Sequence, residues 1–220
     1  MFDSGMITML LQGTLETLYM TVMATLFGYV LGLPIGIILT VTDNTGIRPR
    51  PVIYRTLDLI VNVLRSVPFL ILLILVIPVT RFIVGKSYGS SATIVPLVIA
   101  AAPFIGRMVE SSIKEVDKGV IEAAQSLGAS DFFIIRKVLL PEAKTSLLVG
   151  VTIAVGTILG YSAMAGTVGG GGLGDIAIQY GYYRYDTGVM IVTIIILVLL
   201  VQIFQWAGMQ ISKRTDRRRQ

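Results

Sequence analysis

The sequence predicts an all-helical integral membrane protein with five transmembrane helices, its N-terminus outside the cell and its C-terminus in the cytoplasm. Three observations support this prediction: an apolar composition, five long apolar segments, and a one-sided distribution of basic residues. Hydrophobic residues make up 54% of the 220 residues and charged residues only 14%. Because soluble domains carry about a quarter charged residues, this composition indicates a chain that lies in a bilayer.

Five segments are long enough to cross the hydrocarbon core, which takes about 20 mostly apolar residues. They cover residues 18–40, 57–79, 92–109, 147–164 and 189–206. The second segment contains Arg65 and is the least regular, since Pro68 and Pro78 are expected to kink it. No basic residue precedes the first segment and no small-residue cleavage site follows it, so we expect a membrane helix rather than a cleaved signal peptide.

The basic residues set the orientation, because Lys and Arg are enriched in cytoplasmic loops. Of the 18 Lys and Arg residues, fourteen fall on one set of alternate connections and three on the other, with Arg65 inside a span. This bias places the connection between spans three and four, and the C-terminal tail, in the cytoplasm. Basic charge is therefore a topology signal here, and we expect no nucleic-acid partner.

Several kinds of chemistry are excluded by composition, since the chain has no His and no Cys. Zinc sites built from these residues, thiol nucleophiles and imidazole bases are absent, and we expect no metal site and no catalytic site. The glycine-rich stretch TVGGGGLGD, residues 167–175, lacks the Gly-Lys-Ser/Thr ending of a phosphate loop. We expect it to be a flexible turn on the external side, and the chain to have no nucleotide site of its own.

Small residues at four-residue spacing predict close helix packing. Gly28, Gly32 and Gly36 recur in the first span, and Gly156 and Gly160 in the fourth. Glycines at this spacing form a flat surface that lets another helix backbone approach. The pattern favours a tightly packed bundle.

Four charged residues fall within or beside the spans. Asp58 and Arg65 are seven residues apart on one helical face, and Arg107 and Glu110 are three apart near the cytoplasmic end of the third span. Intramembrane charges either line a pathway or pair with one another inside the bundle. We favour structural ion pairing for both pairs.

The polar stretch between spans three and four predicts a compact cytoplasmic elbow. A short amphipathic helix covers residues 117–127, with Val120, Ile121, Ala124 and Leu127 near one face, and Gly128 ends it. Ser130 can cap a second short helix that has Asp131 in its first turn. An interfacial helix lying on lipid remains an alternative. The paired alanines at 123 and 124 instead favour insertion into a groove of a partner protein.

The elbow also carries a specific resemblance. Its residues match the pattern EAA-x3-G-x9-I-x-LP, with Val138 in place of the usual Ile. This pattern is typical of the membrane subunits of bacterial ATP-binding-cassette importers. The stretches RSVPFLILL (65–73), AAPFIGRMVE (101–110) and GYSAMAGTVG (160–169) extend the resemblance to the methionine-import permeases, over nearly the whole chain.

The resemblance implies a type I transmembrane domain over residues 12–208 and a basic cytoplasmic tail over 209–220. It implies a multi-pass permease of the bacterial inner membrane that works as a homodimer by alternating access. Two copies of a cytoplasmic ATP-binding subunit would carry ATP and Mg, and an extracytoplasmic substrate-binding protein or lipoprotein would deliver methionine. The permease itself would bind no cofactor and catalyse no reaction.

The resemblance also implies roles for particular residues. The elbow, as a coupling helix, would dock on the ATPase through Glu122, Ala123, Ala124, Leu127, Gly128, Ala129, Leu140 and Pro141. The pathway and its gate would lie near Tyr161, Ser162, Met164, Arg65 and Ser66.

Three alternative functions are considered. One is a permease for another small amino acid. An ion-coupled secondary transporter would usually show internal repeats and broken helices in matched halves, and the sequence has no such repeat. A membrane enzyme would need a Ser–Lys pair or a carboxylate site, and no motif supports one.

Overall fold

The computed structural model describes residues 4–215, which form helices joined by short connections and contain no strand. The helices are α1 Ser4–Thr42, α2 Pro51–Ser66, α3 Phe69–Leu75, α4 Ile77–Val84, α5 Ser90–Lys114, α6 Lys118–Ser126, α7 Asp131–Ile134, α8 Leu140–Glu142, α9 Lys144–Ala165, α10 Gly172–Ile176 and α11 Thr187–Thr215. A π-helical turn, Ile135–Leu139, joins α7 to α8, and a second one, Ala177–Tyr182, follows α10. A short 3-10 turn, Gly166–Val168, follows α9.

The described part of the chain has four to five candidate membrane spans, because the predicted second span is broken. Four helical segments within residues 4–215 are long and apolar enough to cross a membrane, and α2 with α3 makes a fifth if the two count as one span. The axis bends by 102° between α2 and α3. Val67 is extended there because the ring of Pro68 disfavours a helical conformation at the preceding residue. Pro78 lies in the first turn of α4, after a second break at Val76.

The first helix is longer than the predicted span. It has 39 residues, so at about 1.5 Å per residue it is nearly twice as long as the hydrocarbon core is thick. It runs without a break through residue 12, and α11 continues past residue 208 to Thr215. Residues 216–220 of the predicted basic tail lie outside the described residues.

Helix α5 is the centre of the bundle. In its most apolar window 61% of the residues are buried, against 11% in that of α11. Leu97, Ile105, Val109 and Ile113 are almost completely inaccessible and contribute to one apolar core that also takes residues from α1 and α9. Helices α1, α2, α4 and α9 all contact α5.

The glycines of α1 lie directly against α5. A Cβ atom at Gly32 would come within 2.7 Å of Ile105 and 2.8 Å of the carbonyl oxygen of Ala102. A Cβ atom at Gly36 would come within 2.6 Å of Val109. Gly28 faces Ile105 in the same way, so the three glycines let the two backbones approach closely.

The two glycines of α9 are placed differently. A Cβ atom at Gly160 would meet nothing within 4 Å, and one at Gly156 would only approach the side-chain nitrogen of Gln205, at 3.9 Å. Within residues 4–215 of one chain, the close helix packing predicted at this pair is absent. The close approach between α9 and α11 occurs instead at Gly208, where a Cβ atom would collide with Thr152.

The glycine-rich segment corrects a second expectation, because it is folded into the bundle rather than exposed as a flexible turn. Leu173 is fully buried, and Gly174 packs so tightly on the backbone of Ala163 that a side chain would not fit. Backbone N–H groups of Gly172 and Leu173 donate to Glu16 and Thr17 of α1, at 2.8 and 2.9 Å. These hydrogen bonds attach the segment to α1 at the end of the bundle opposite the elbow.

Candidate functional site

The elbow between α5 and α9 is formed by local interactions that the sequence predicts. The N–H of Gly128 donates to the carbonyl of Gln125, and the N–H of Ala129 donates to Ala124. These two bonds, with Gly128 at φ +76°, form a Schellman motif at the end of α6. Ser130 then caps α7 by accepting a hydrogen bond from the N–H of Phe133. A sharp bend between two short helices is the result.

The two sides of α6 have different surroundings. Ile121 and Ala124 pack on the apolar core, whereas Leu127 is 88% exposed and Glu122 and Ala123 face outward. The predicted common face of Val120, Ile121, Ala124 and Leu127 is therefore wrong in two positions. Val120 is 42% exposed, and Leu127 lies at the C-cap, where the helix has already ended.

The second half of the elbow anchors it to the bundle. Ile134 and Leu139 are buried in the core that contains α5 and α9. The helix widens into its π-helical turn just before Pro141, which has no N–H to donate to the preceding turn. Phe132 is 69% exposed, so α7, like α6, presents an apolar side chain outward.

A chain of alternating charges lies beside the elbow, and its pairing corrects the sequence prediction in one respect. Arg107 pairs with Glu110, as expected, at 2.6 Å. Asp58, however, pairs with Arg107 rather than with Arg65, which is exposed and forms no ion pair within residues 4–215. Arg107 also donates to the side-chain oxygen of Asn62, at 3.0 Å.

Two further residues of this series of ion pairs were missed by sequence reasoning. Lys114 contacts Glu110 at 2.8 Å and Asp43 at 2.6 Å. The hydrogen bond from Lys114 holds the pKa of the Asp43 carboxyl below its usual range. The spacing of four residues between Glu110 and Lys114 on one helix is a signal that predicts their pairing. Nothing in the sequence indicates that Asp43, from the loop after α1, completes the set.

The residues predicted to lie near a pathway gate fall into two groups, one on α9 and one at the end of α2. Tyr161 stacks on Phe69 of α3, with ring centroids 4.5 Å apart, and Met164 is 48% exposed. Ser162 is buried, and its hydroxyl donates to the carbonyl of Leu159 in its own helix. Arg65 and Ser66 are exposed at the 102° bend, one turn before Phe69. After the bend, α3 contacts α9 near the C-terminal end of α9.

No metal site is evident in the described part of the chain, where no three acidic side chains are grouped closely enough to hold an ion. The arrangement has the features of an element that transmits motion between helices. It has a protruding elbow with exposed apolar side chains, a buried anchor, and a charged chain that leads from the elbow end of α5 to α2.

The family described as the inner membrane component of binding-protein-dependent transport systems matches residues 32–217, and the chain belongs to that family. This assigns it to the inner membrane subunits of transport systems that depend on a binding protein.

Individual relatives make the similarity more specific. The chain is 51% identical to a probable D-methionine transport system permease protein, MetI, of Vibrio cholerae, over 96% of this chain and 93% of that one. It is 50% identical to the D-methionine transport system permease protein MetI of Escherichia coli over 73% of this chain and 74% of that one.

Solved structures agree with these relatives. An inward-facing structure of the MetNI methionine ABC transporter matches with a TM-score of 0.97 and 48% identity, over 98% of this chain and 100% of that one. A chain of an amino acid ABC transporter, 22% identical with a TM-score of 0.79, shares the fold.

Proposed function

We propose that this chain is the permease subunit of an ATP-driven methionine importer. Two copies would form the translocation pathway in the bacterial inner membrane, with the N-terminus outside and the elbow in the cytoplasm. Two cytoplasmic ATP-binding subunits would hold ATP and Mg, and an external binding protein would deliver methionine. The permease alternates between outward and inward access and performs no bond chemistry itself.

The observation that carries this proposal is the elbow, with one side anchored and the other side free. An element that transmits motion must be fixed to the moving helices and must also present a surface to its partner. Ile134 and Leu139 supply the anchor, while Leu127 and Phe132 stand exposed beside Glu122. Exposed apolar side chains beside a short helix suit a groove in a partner protein. The ATP-binding subunit is the partner we assign to this surface.

The gate is assigned to the contact between the bent second span and α9. Tyr161 stacks on Phe69 immediately after the 102° bend, and the exposed Arg65 and Ser66 precede it. A helix already broken at Val67 and Pro68 can change its angle without losing backbone hydrogen bonds that an intact helix would lose. We propose that this joint changes its angle between outward and inward access.

The test replaces Gly128 by valine and compares the result with Gly128→Asn. A Cβ atom at Gly128 would meet nothing within 4 Å, so any effect comes from the backbone conformation at φ +76°. Asparagine tolerates this left-handed region, whereas a β-branched residue pays about 1–3 kcal/mol for it. We expect Gly128→Val to insert normally but to lose ATPase co-purification or ATP-dependent methionine uptake by about tenfold. Gly128→Asn should stay close to wild type, and Glu122→Ala should show a milder loss than valine.

The outcome also separates the alternatives. Normal uptake by Gly128→Val would mean that the elbow is an interfacial helix with no role in coupling. Wild-type uptake that follows an ion gradient and persists without ATP would indicate a secondary transporter. Uptake that another amino acid, rather than methionine, competes for would change the substrate and keep the importer.

A further inference from the structure

The charged chain at the cytoplasmic end of α5 joins three elements of the bundle. Its members, which we call the charge ladder, are Asp43, Lys114, Glu110, Arg107 and Asp58. Asp43 lies in the loop after α1, the next three lie on α5, and Asp58 lies on α2. The ion pairs follow one another without a gap, and Asn62 adds a hydrogen bond from α2 to Arg107. Lys114 also lies 5.6 Å above the ring of Tyr54, again on α2.

Glu110 is the centre of the ladder. Its side chain is 3% exposed, and its two oxygens contact different cations, Arg107 and Lys114. Burying a carboxylate to this degree is costly unless cations lie against it. Removing its charge would leave two cations facing each other across a neutral side chain. The ladder therefore depends on Glu110 more than on any of its ends.

The ladder is a substantial part of the attachment of α2, because α2 buries few of its side chains against α1 and α5. Of its 16 residues only Val61 is buried. Asp58, Asn62 and Tyr54 all reach toward the end of α5, the end from which the elbow continues. The C-terminal end of α2 leads directly into the bend at Val67 and Pro68.

The elbow lies beside the ladder and continues from the same end of α5. Helix α6 begins four residues after Lys114, and Asp131 of α7 meets Arg48 of the α1–α2 loop at 3.4 Å. That pair is exposed and weak by itself. A cleft of about 280 Å³ separates α6 from the loop, and Asp43 and Lys114 line it. Since the elbow does not fill this cleft, the ladder is the continuous polar link between α5 and the loop.

We propose that Glu110 is a positioning residue for transport, which makes α2 move together with the elbow. Displacement of the elbow moves the end of α5, and the ladder carries that displacement through Arg107 and Asp58 to α2 and to the bend that follows. This inference rests on the proposed function, because it assumes that the elbow receives the motion. It adds the route by which that motion reaches the second span.

The experiment measures methionine uptake per ATP hydrolysed, in vesicles that hold the permease with its ATPase. Glu110→Gln keeps the side-chain shape and removes the charge, and Asp58→Asn removes only the ion pair between α2 and Arg107. We expect both variants to retain ATPase binding and hydrolysis while the ratio falls by about fivefold or more. Glu115→Gln is the control, since Glu115 is exposed and forms no ion pair within residues 4–215. It should keep the wild-type ratio.

A second readout does not need transport. Spin labels at Thr56→Cys on α2 and Ser126→Cys on the elbow, both exposed positions, report the distance between the two elements. The distribution should be narrow in the parent chain and clearly broader with Asp58→Asn.

Each result has a defined meaning. An unchanged ratio and an unchanged distance distribution in Asp58→Asn would overturn the proposal. So would uptake and hydrolysis that fall in proportion with the yield of folded protein, since that pattern is expected of a purely structural ion pair. If Glu110→Gln does not fold, Asp58→Asn decides alone. Absence of ATP-dependent uptake in wild type would overturn the proposed function, and the distance measurement would still test the ladder.

Discussion

Asp43 illustrates how a single side chain links parts of this protein that are distant in sequence. It follows the last residue of α1, and its carboxylate accepts a hydrogen bond from Lys114, 71 positions further along the chain, at 2.6 Å. That bond keeps the pKa of Asp43 below its ordinary value. The carboxylate is therefore more stable in the folded state than in the unfolded chain. This difference makes stability depend on pH.

The first prediction concerns this pH dependence. A carboxyl group whose pKa is lowered on folding adds stability above its unfolded pKa, and that stability is lost as the pH falls through the folded pKa. We expect Asp43→Asn to lower the free energy of unfolding by about 1 kcal/mol at neutral pH. The difference from wild type should shrink between about pH 5 and pH 3.

Thermal unfolding in detergent, measured across this range, checks the prediction. Glu142→Gln serves as the control, because Glu142 is exposed and unpaired among residues 4–215. A difference between Asp43→Asn and wild type that stayed constant down to pH 3 would mean that the bond from Lys114 does not stabilise the fold.

At the scale of helices, close backbone approach contributes more to helix association than apolar burial does. Lipid chains are as apolar as leucine, so helices in a bilayer associate through packing rather than through the hydrophobic effect. Helix α1 meets α5 through three glycines that no larger residue could replace without displacing Ile105 or Val109. Helix α9 carries glycines at the same spacing, yet in one chain they face open space.

This contrast gives a matched pair of substitutions. Gly32→Ala adds one methyl group where a Cβ atom would lie 2.7 Å from Ile105, and Gly160→Ala adds the same group where nothing lies within 4 Å. Both changes bring the same gain in helix propensity. We expect Gly32→Ala to destabilise the permease by about 1–3 kcal/mol, and Gly32→Leu to do so more strongly. Gly160→Ala should be neutral or slightly stabilising.

Denaturation of the purified permease in one detergent, for all three variants, makes the comparison. Equal stability of Gly32→Ala and Gly160→Ala would show that α1 and α5 are free to separate. Loss of stability in Gly160→Ala alone would mean that a second copy covers α9 at this position.

At the scale of the whole molecule, the two ends of the bundle differ in structure and in expected environment. One end carries the elbow and the charge ladder. The other carries the glycine-rich segment, which is attached to α1 through Glu16 and Thr17. The basic residues concentrate at the elbow end, which is the distribution expected for the cytoplasmic side.

Because the chain has no cysteine, single cysteines report this orientation cleanly. Ser126→Cys on the elbow and Lys86→Cys on the connection between α4 and α5 are both exposed and alter no cap or ion pair. In intact cells an impermeant thiol reagent should label the cysteine at position 86 and not the one at position 126. After the membrane is opened, both should react. The reverse pattern would place the elbow outside and remove the basis for ATPase docking.

Local features of this protein are determined by the sequence itself. The apolar segments, the break at Pro68, the bend at Gly128 and the cap at Ser130 depend on each residue's own conformational limits and on its immediate neighbours. A missing N–H, a left-handed φ and a hydroxyl acceptor act within a few residues, so they can be recognised without knowing the rest of the fold. The elbow, which is the main element of the candidate site, was predictable for this reason.

Long-range pairing was decided only by the tertiary structure. Asp58 pairs with Arg107, 49 residues away, rather than with Arg65 on its own helix. Seven residues along a helix separate Asp58 from Arg65 by about 10 Å, whereas Arg107 of α5 comes within hydrogen-bond distance of Asp58. The same dependence applies to the glycines. Spacing alone cannot distinguish Gly32, which faces α5, from Gly160, which faces no other helix within residues 4–215, or reveal that the glycine-rich segment is buried. Which residues meet depends on how the helices cross, and that is fixed by all of their contacts together.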